Sequence, residues 1–171
     1  MFALVTTLSV LVLSSTPAGA VSESELAERK TSDACPENWL DASFMEMGCL
    51  FFNSTAGMTW EEAYISCKKN SNANLVEIQS EVQMGFLQME LDVTDNAMGA
   101  KHYWWTAGTD VGREGQWYWA TTLTEVGDFI WFSNMPDGGT AENCIMLGPG
   151  LGYEGNDYNY DLKFYPICQM K

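Results

Sequence analysis

The sequence is poor in histidine and in positive charge. One histidine stands among 171 residues, and 8 lysines and arginines face 23 aspartates and glutamates, for a formal net charge of −15. So acidic a surface repels phosphates and anionic head groups, which makes nucleic acid and anionic lipid poor partners. His102 lies beside Lys101 with no serine, cysteine or second histidine at a catalytic or metalloprotease spacing. Nothing here points to an enzyme. Long apolar runs are scarce as well. The one near Leu8–Leu13 is too short, and too interrupted by Ser, Thr and Pro around it, to span a bilayer, and no later segment is longer. Residues 1–20 carry no charged side chain and close on Ala18-Gly19-Ala20, the pattern of a secretory signal cleaved after Ala20. The expected product is secreted and has no membrane span. "VSESELAERKTSDA" (21–34) is polar, acidic and without a core face, so it reads as a flexible lead-in.

What remains suits one domain, starting near Cys35. Hydrophobic residues make up 46% of the chain, enough for a proper core. Five cysteines (Cys35, Cys49, Cys67, Cys144 and Cys168) in an oxidising compartment imply two bridges and one thiol, and spacing alone does not choose the pairs. Asn53-Ser54-Thr55 is an N-glycosylation sequon, which fits secretion.

The clearest local signal is "TWEEAYISCKKN". Thr59 and Glu62 have capping-box spacing, and Trp60, Ala63, Tyr64 and Cys67 form one apolar stripe of a helix. "NLVEIQ" reads as a short strand with Val76 and Ile78 on either side of Glu77. Ser80 and Gln83 repeat the capping box before a second helix, whose stripe is Val82, Phe86 and Met89, broadened by Leu87 and Leu91. "VTDNAMGAKH" reads as a loop. "YWWTAGTD", "GQWYWA" and "FIWF" read as strands, with Trp117, Trp119 and Trp131 as core aromatics. From there to residue 161, Gly, Asp and Asn dominate, which is too long for an ordinary loop. Two helices followed by many strands predict an α+β fold.

Taken in order, "CPENWLDASFMEMGCLFF", "TWEEAYISC", "WTAGTD", "EGQWYW" and "FYPIC" resemble the C-type lectin-like domain over 35–171. The resemblance implies two helices, two antiparallel sheets and a long calcium-binding loop region. It implies bridges Cys35–Cys49 and Cys67–Cys168. The family's third bridge would join Cys144 to the position that Tyr160 holds here, so Cys144 is expected as a buried thiol or, alternatively, an intermolecular link.

The resemblance also implies a metal site. In sugar-binding members, calcium ligands flank a cis proline, with a glutamate before the loop cysteine and an Asn-Asp pair beyond. Carried over, these are Met135 and Asp137 around Pro136, then Glu142, Asn156 and Asp157, the same five positions that would contact a sugar. Four keep a hard oxygen. Met135 offers a soft thioether, which suits calcium badly. Gly155 stands where the family usually has a tryptophan. An auxiliary ion would use Asp110 and Glu114 together with Glu142. An acid after the proline is the galactose-type arrangement. The implied function is a calcium-dependent lectin that binds glycans or glycoproteins, in the setting of innate recognition. The alternative is a lectin-like domain that has lost calcium-dependent sugar binding and takes a protein or other non-sugar ligand.

Overall fold

The computed structural model describes residues 35–69 and 72–171, so the expected signal (1–20) and lead-in (21–34) lie outside the described residues. Helix α1 (Trp60–Lys69) forms where its capping box predicts. Glu62 N–H donates to Thr59 Oγ1 at 3.3 Å, and Thr59 N–H donates to the Glu62 carboxylate at 3.0 Å, so each residue satisfies a free donor of the other. Ala63 and Cys67 are fully buried, while Trp60 and Tyr64 stack with centroids 5.7 Å apart.

Helix α2 (Glu81–Met98) differs from expectation in phase and in length. Val82 and Met89, expected in the core, are 67% and 63% exposed, whereas Phe86, Leu87 and Leu91 are buried as expected, together with Met84. The segment carries two apolar stripes, and periodicity alone does not say which one meets the sheets. Ser80 caps Gln83 N–H as predicted, but the Gln83 side chain serves Gln79 N–H and the Met45 carbonyl rather than Ser80. The helix also continues through Val93–Met98, expected as loop, before ending at left-handed Gly99. Asp95 explains the extra turns. Its buried carboxylate accepts from His102 N–H at 2.8 Å and from the Tyr153 hydroxyl, and lies 3.0 Å from His102 Nδ1.

Strands β1 (Leu40–Asp41), β2 (Cys49–Phe52), β3 (Asn74–Leu75) and β8 (Tyr165–Met170) form one antiparallel sheet. Strands β4 (Trp104–Thr109), β5 (Tyr118–Trp119), β6 (Cys144–Leu147) and β7 (Gly155–Tyr158) form the second. A parallel pairing of β4 with β8 joins them. The core lies between α1, α2 and these sheets, with Trp104, Trp105 and Trp119 fully buried. Within "NLVEIQ" only β3 is strand. Glu77 is buried there with Val76 and Ile78, because its carboxylate accepts from Thr121 and Thr122 N–H. "FIWF" is not a strand. Asp128–Ile130 is a tight 3-10 turn whose donors bond locally, and Trp131 makes a single bridge to Gly155.

Cys35 is bonded to Cys49, and Cys67 to Cys168, tying α1 to β8. Cys144 is free and buried.

Candidate cation and ligand site

The site begins with β7. Pairing of Asp157 with Ile145 of β6 holds Asp157 at the sheet, where it is only 1% exposed. A carboxylate so buried needs donors. Asp137 N–H supplies one at 3.0 Å and Gly138 N–H another at 2.7 Å. These bonds pin the loop that follows the cis Met135–Pro136 peptide onto β7. Gly138 is required for room. A Cβ there would lie 2.3 Å from Glu142 Oε2 and 2.4 Å from Glu142 Cβ, so only glycine lets Glu142 fold back over the loop.

The result is a cluster. Ligand oxygens of Asp137, Glu142 and Asp157 all lie within 4.8 Å of one another. Burial first, then the charges of Asp157 and Asp137, push the Glu142 carboxyl above the usual carboxylate range. Calcium holds oxygens at about 2.3–2.6 Å, so ligands on opposite sides of the ion stand roughly 5 Å apart. The cluster's spacing fits one such sphere. Asn156 Oδ1, next in the chain, is buried with no hydrogen-bond donor, a hard acceptor left unused. Three converging carboxylates offer the hard oxygens and the charge that suit a divalent cation.

Other expected site residues lie elsewhere. Met135 lines a neighbouring groove together with Pro136. Asp110 is 1% exposed and spends its carboxylate on Gly115 N–H at 2.8 Å and Asn143 Nδ2 at 3.0 Å. Glu114 is exposed, and among the described residues the cluster of three contains neither Asp110 nor Glu114. Asn53 of the sequon is 7% exposed, and its amide oxygen accepts from the Thr55 N–H and hydroxyl. Cys144 is fully buried and points its thiol at Thr109 Oγ1. Burial pushes that thiol up to about 12; the Thr109 contact opposes the rise and the Asp110 charge adds to it. A thiol so placed does not reach another chain. Its ladder partners are Thr109 on β4 and Tyr158 on β7, and Tyr160 is exposed.

Two features escaped the sequence reading. A Cβ on Gly155 would lie 2.7 Å from Ile130 Cγ2 and 2.9 Å from the Ile130 carbonyl, so a glycine there lets the 130–132 segment lie directly on β7. Phe132 N–H accordingly donates to the Gly155 carbonyl at 2.8 Å. Trp131, expected in the core with Trp117 and Trp119, is only partly buried and faces the groove. The signal was the pairing of an unusual glycine with an aromatic run twenty-odd residues earlier, which no local periodicity exposes.

The Lectin C-type domain family matches residues 56–170. The chain belongs to the C-type lectin domain family. Perlucin-like protein of Mytilus galloprovincialis is 25% identical over 123 residues, covering 72% of this chain and 74% of the relative. C-type lectin 37Da of Drosophila melanogaster is 31% identical over 97 residues, which are 56% of this chain and 50% of that one. The lectin domain therefore spans about half the length of this second relative. A solved Ca2+-dependent type II antifreeze protein, in its Ca2+-free form, superimposes with a TM-score of 0.66 at 27% identity, covering 80% of this chain and 100% of that one. The lectin domain thus sits in a family of carbohydrate-binding lectins. No helix among its described residues is long and apolar enough to cross a membrane.

Proposed function

We propose that this lectin domain is a secreted, calcium-dependent carbohydrate-recognition module. The observation that carries the proposal is the convergence of Asp137, Glu142 and Asp157 oxygens within 4.8 Å. Asn156, with its unpartnered oxygen, is the fourth proposed ligand. The calcium-dependent antifreeze relative supports the metal, and the family supports the sugar. When bound, calcium supplies coordination positions for neighbouring sugar hydroxyls. Asp137 and Glu142 accept hydrogen bonds from those hydroxyls, and the Asn156 amide donates to them. Asp157 holds the loop in register while serving as a ligand. Asp137 after the proline puts specificity on the galactose side. Two disulfides favour an oxidising, extracellular setting, where recognition of microbial glycans is the proposed role.

Calorimetric titration with calcium, followed by glycan-array binding with and without chelator, tests this. Calcium binding and chelator-sensitive glycan signals are expected; chelator-insensitive or absent sugar binding would overturn it. Met135→Glu restores a hard donor beside Asp137 and should tighten calcium binding in the same titration. A second reading, a protein or other non-sugar ligand, draws on one observation: Met135 leaves the cluster one hard ligand short and faces a groove instead. Chelator-insensitive capture of a protein partner would favour it.

A further inference from the structure

A groove of about 760 Å³ adjoins the carboxylate cluster. That volume lies within the roughly 300–1,000 Å³ typical of small-ligand sites. Met135 and Pro136 belong to the groove, and Asp137, next in the chain, belongs to the cluster, so the two sites meet at consecutive residues. Trp131 is braced edge-on by Trp117, with ring centroids 4.8 Å apart and planes at 73°. A fixed, partly buried indole at the groove wall offers a flat apolar surface at little entropic cost, the surface that suits the apolar face of a pyranose ring. Arg113, Glu125 and Asp128 also line the groove, all exposed and, among the described residues, in no ion pair. One guanidinium and two carboxylates supply both donors and acceptors, the complement of neutral hydroxyls. An anionic ligand would meet two like charges for one opposite charge, inside a domain already strongly acidic.

We propose that this groove is a second subsite. It takes the next neutral sugar ring of an oligosaccharide whose end residue occupies the cation cluster. The inference rests on the lectin reading given above. It also gives Met135 a role: a polarizable, adaptable side chain in a groove wall is an apolar contact for that second ring, at a position that would otherwise hold a metal ligand.

The test is calorimetry on the whole chain in millimolar calcium, with mannose and galactose each offered as the monosaccharide and as a neutral tetrasaccharide. The tetrasaccharide of the preferred sugar should bind about tenfold more tightly than its monosaccharide. Trp131→Ala should bring that ratio near one, and Glu125→Gln, at an exposed position, should lower it by roughly threefold. Neither residue belongs to the cluster, so monosaccharide affinity should hold in both. The calcium-linked rise in Tm serves as the control for folding. Equal wild-type affinities for the two lengths, or a ratio that both variants leave intact, would overturn the subsite and leave the cation reading standing. Absence of calcium-dependent binding to either sugar would overturn both. Tighter binding of a sulfated tetrasaccharide, lost in Arg113→Gln, would replace the neutral chain with an anionic one.

Discussion

The sheet of β1, β2, β3 and β8 and the sheet of β4 to β7 are fastened by different chemistry. On the first, the Cys67–Cys168 bond ties α1 to β8 across 101 residues, and Leu50, Leu75 and Ile167 are wholly buried. On the second there is no bridge, and Cys144 stands alone. Its loops are held by carboxylates that accept backbone N–H groups: Asp157 from residues 137 and 138, Asp110 from residue 115, Glu77 from residues 121 and 122. A disulfide is indifferent to what binds nearby. A carboxylate that holds a loop and faces two others is not, because its charge is shared with any cation that arrives. On the proposed cation reading, stability and ligand binding are therefore separable in the first sheet and coupled at Asp157 in the second.

The sharpest way to break this comparison is to remove the covalent tie. Replacing Cys67 and Cys168 together by serine frees a loop of about 100 residues, worth about 4.7 kcal/mol by the chain-entropy estimate. Urea unfolding should report a loss of that order, with the calcium-linked rise in Tm unchanged in size. A loss below about 1 kcal/mol would mean that packing, not the bond, fastens α1 to β8. Next in size is Asp157→Ala, which strands two backbone donors at about 1–3 kcal/mol each and removes a proposed ligand. Its Tm should fall and no longer respond to calcium. Asp157→Asn keeps an acceptor oxygen, so it should recover part of the stability but not the calcium response. Recovery of both would separate loop-holding from ion-binding and dissolve the coupling.

The two regions were unequally legible in the sequence, for the same reason. α1 was readable because its cap and its stripe lie within the nine residues Thr59–Cys67 and agree with each other. The cysteine pairs of the first sheet came from resemblance, since spacing did not choose them. Asp137, Glu142 and Asp157 were likewise placed by the family pattern, and their proximity depends on a ladder between β6 and β7 that no local signal encodes. Where reading failed, a tertiary contact had overridden local pattern. Asp95 extended α2 through a polar segment by meeting His102 and Tyr153, and Glu77 went inward because a distant turn offered it two donors. Gly155 was read as a departure, yet it is the close approach that seats Trp131 beside the site.

Two glycine substitutions sharpen the contrast between support and binding within the second sheet itself. Gly155→Ala forces a methyl against the Ile130 carbonyl and Cγ2, and should cost about 1–3 kcal/mol by overpacking. Gly138→Ala meets the Glu142 side chain as far in as Cβ, 2.4 Å away, which no rotamer change relieves, so the loop itself must shift and the loss should fall on calcium affinity as well as on stability. Thermal melts with and without calcium distinguish the two. Equal losses of stability with equal calcium responses would show that the loop and the strand beneath it act as one unit.

The smallest expected effect is in pH. Glu142 holds its proton more tightly in the folded chain because it is partly buried and lies beside Asp157 and Asp137. Between the ordinary glutamate value and the raised one, the folded state binds more protons than the unfolded state. The stability of the calcium-free domain that Glu142 controls therefore falls as pH rises through that interval. Calcium must displace the same proton, so its affinity rises over the same interval. The two slopes have opposite signs. Other carboxylates titrate nearby, so the readout is the difference between wild type and Glu142→Gln in Tm against pH, measured with and without calcium. Glu142→Gln should remove the falling slope from the calcium-free curve and the rising one from the calcium curve. Identical pH profiles for the two chains would place Glu142 outside the electrostatic cluster, and the cation would then rest on Asp137, Asn156 and Asp157 alone.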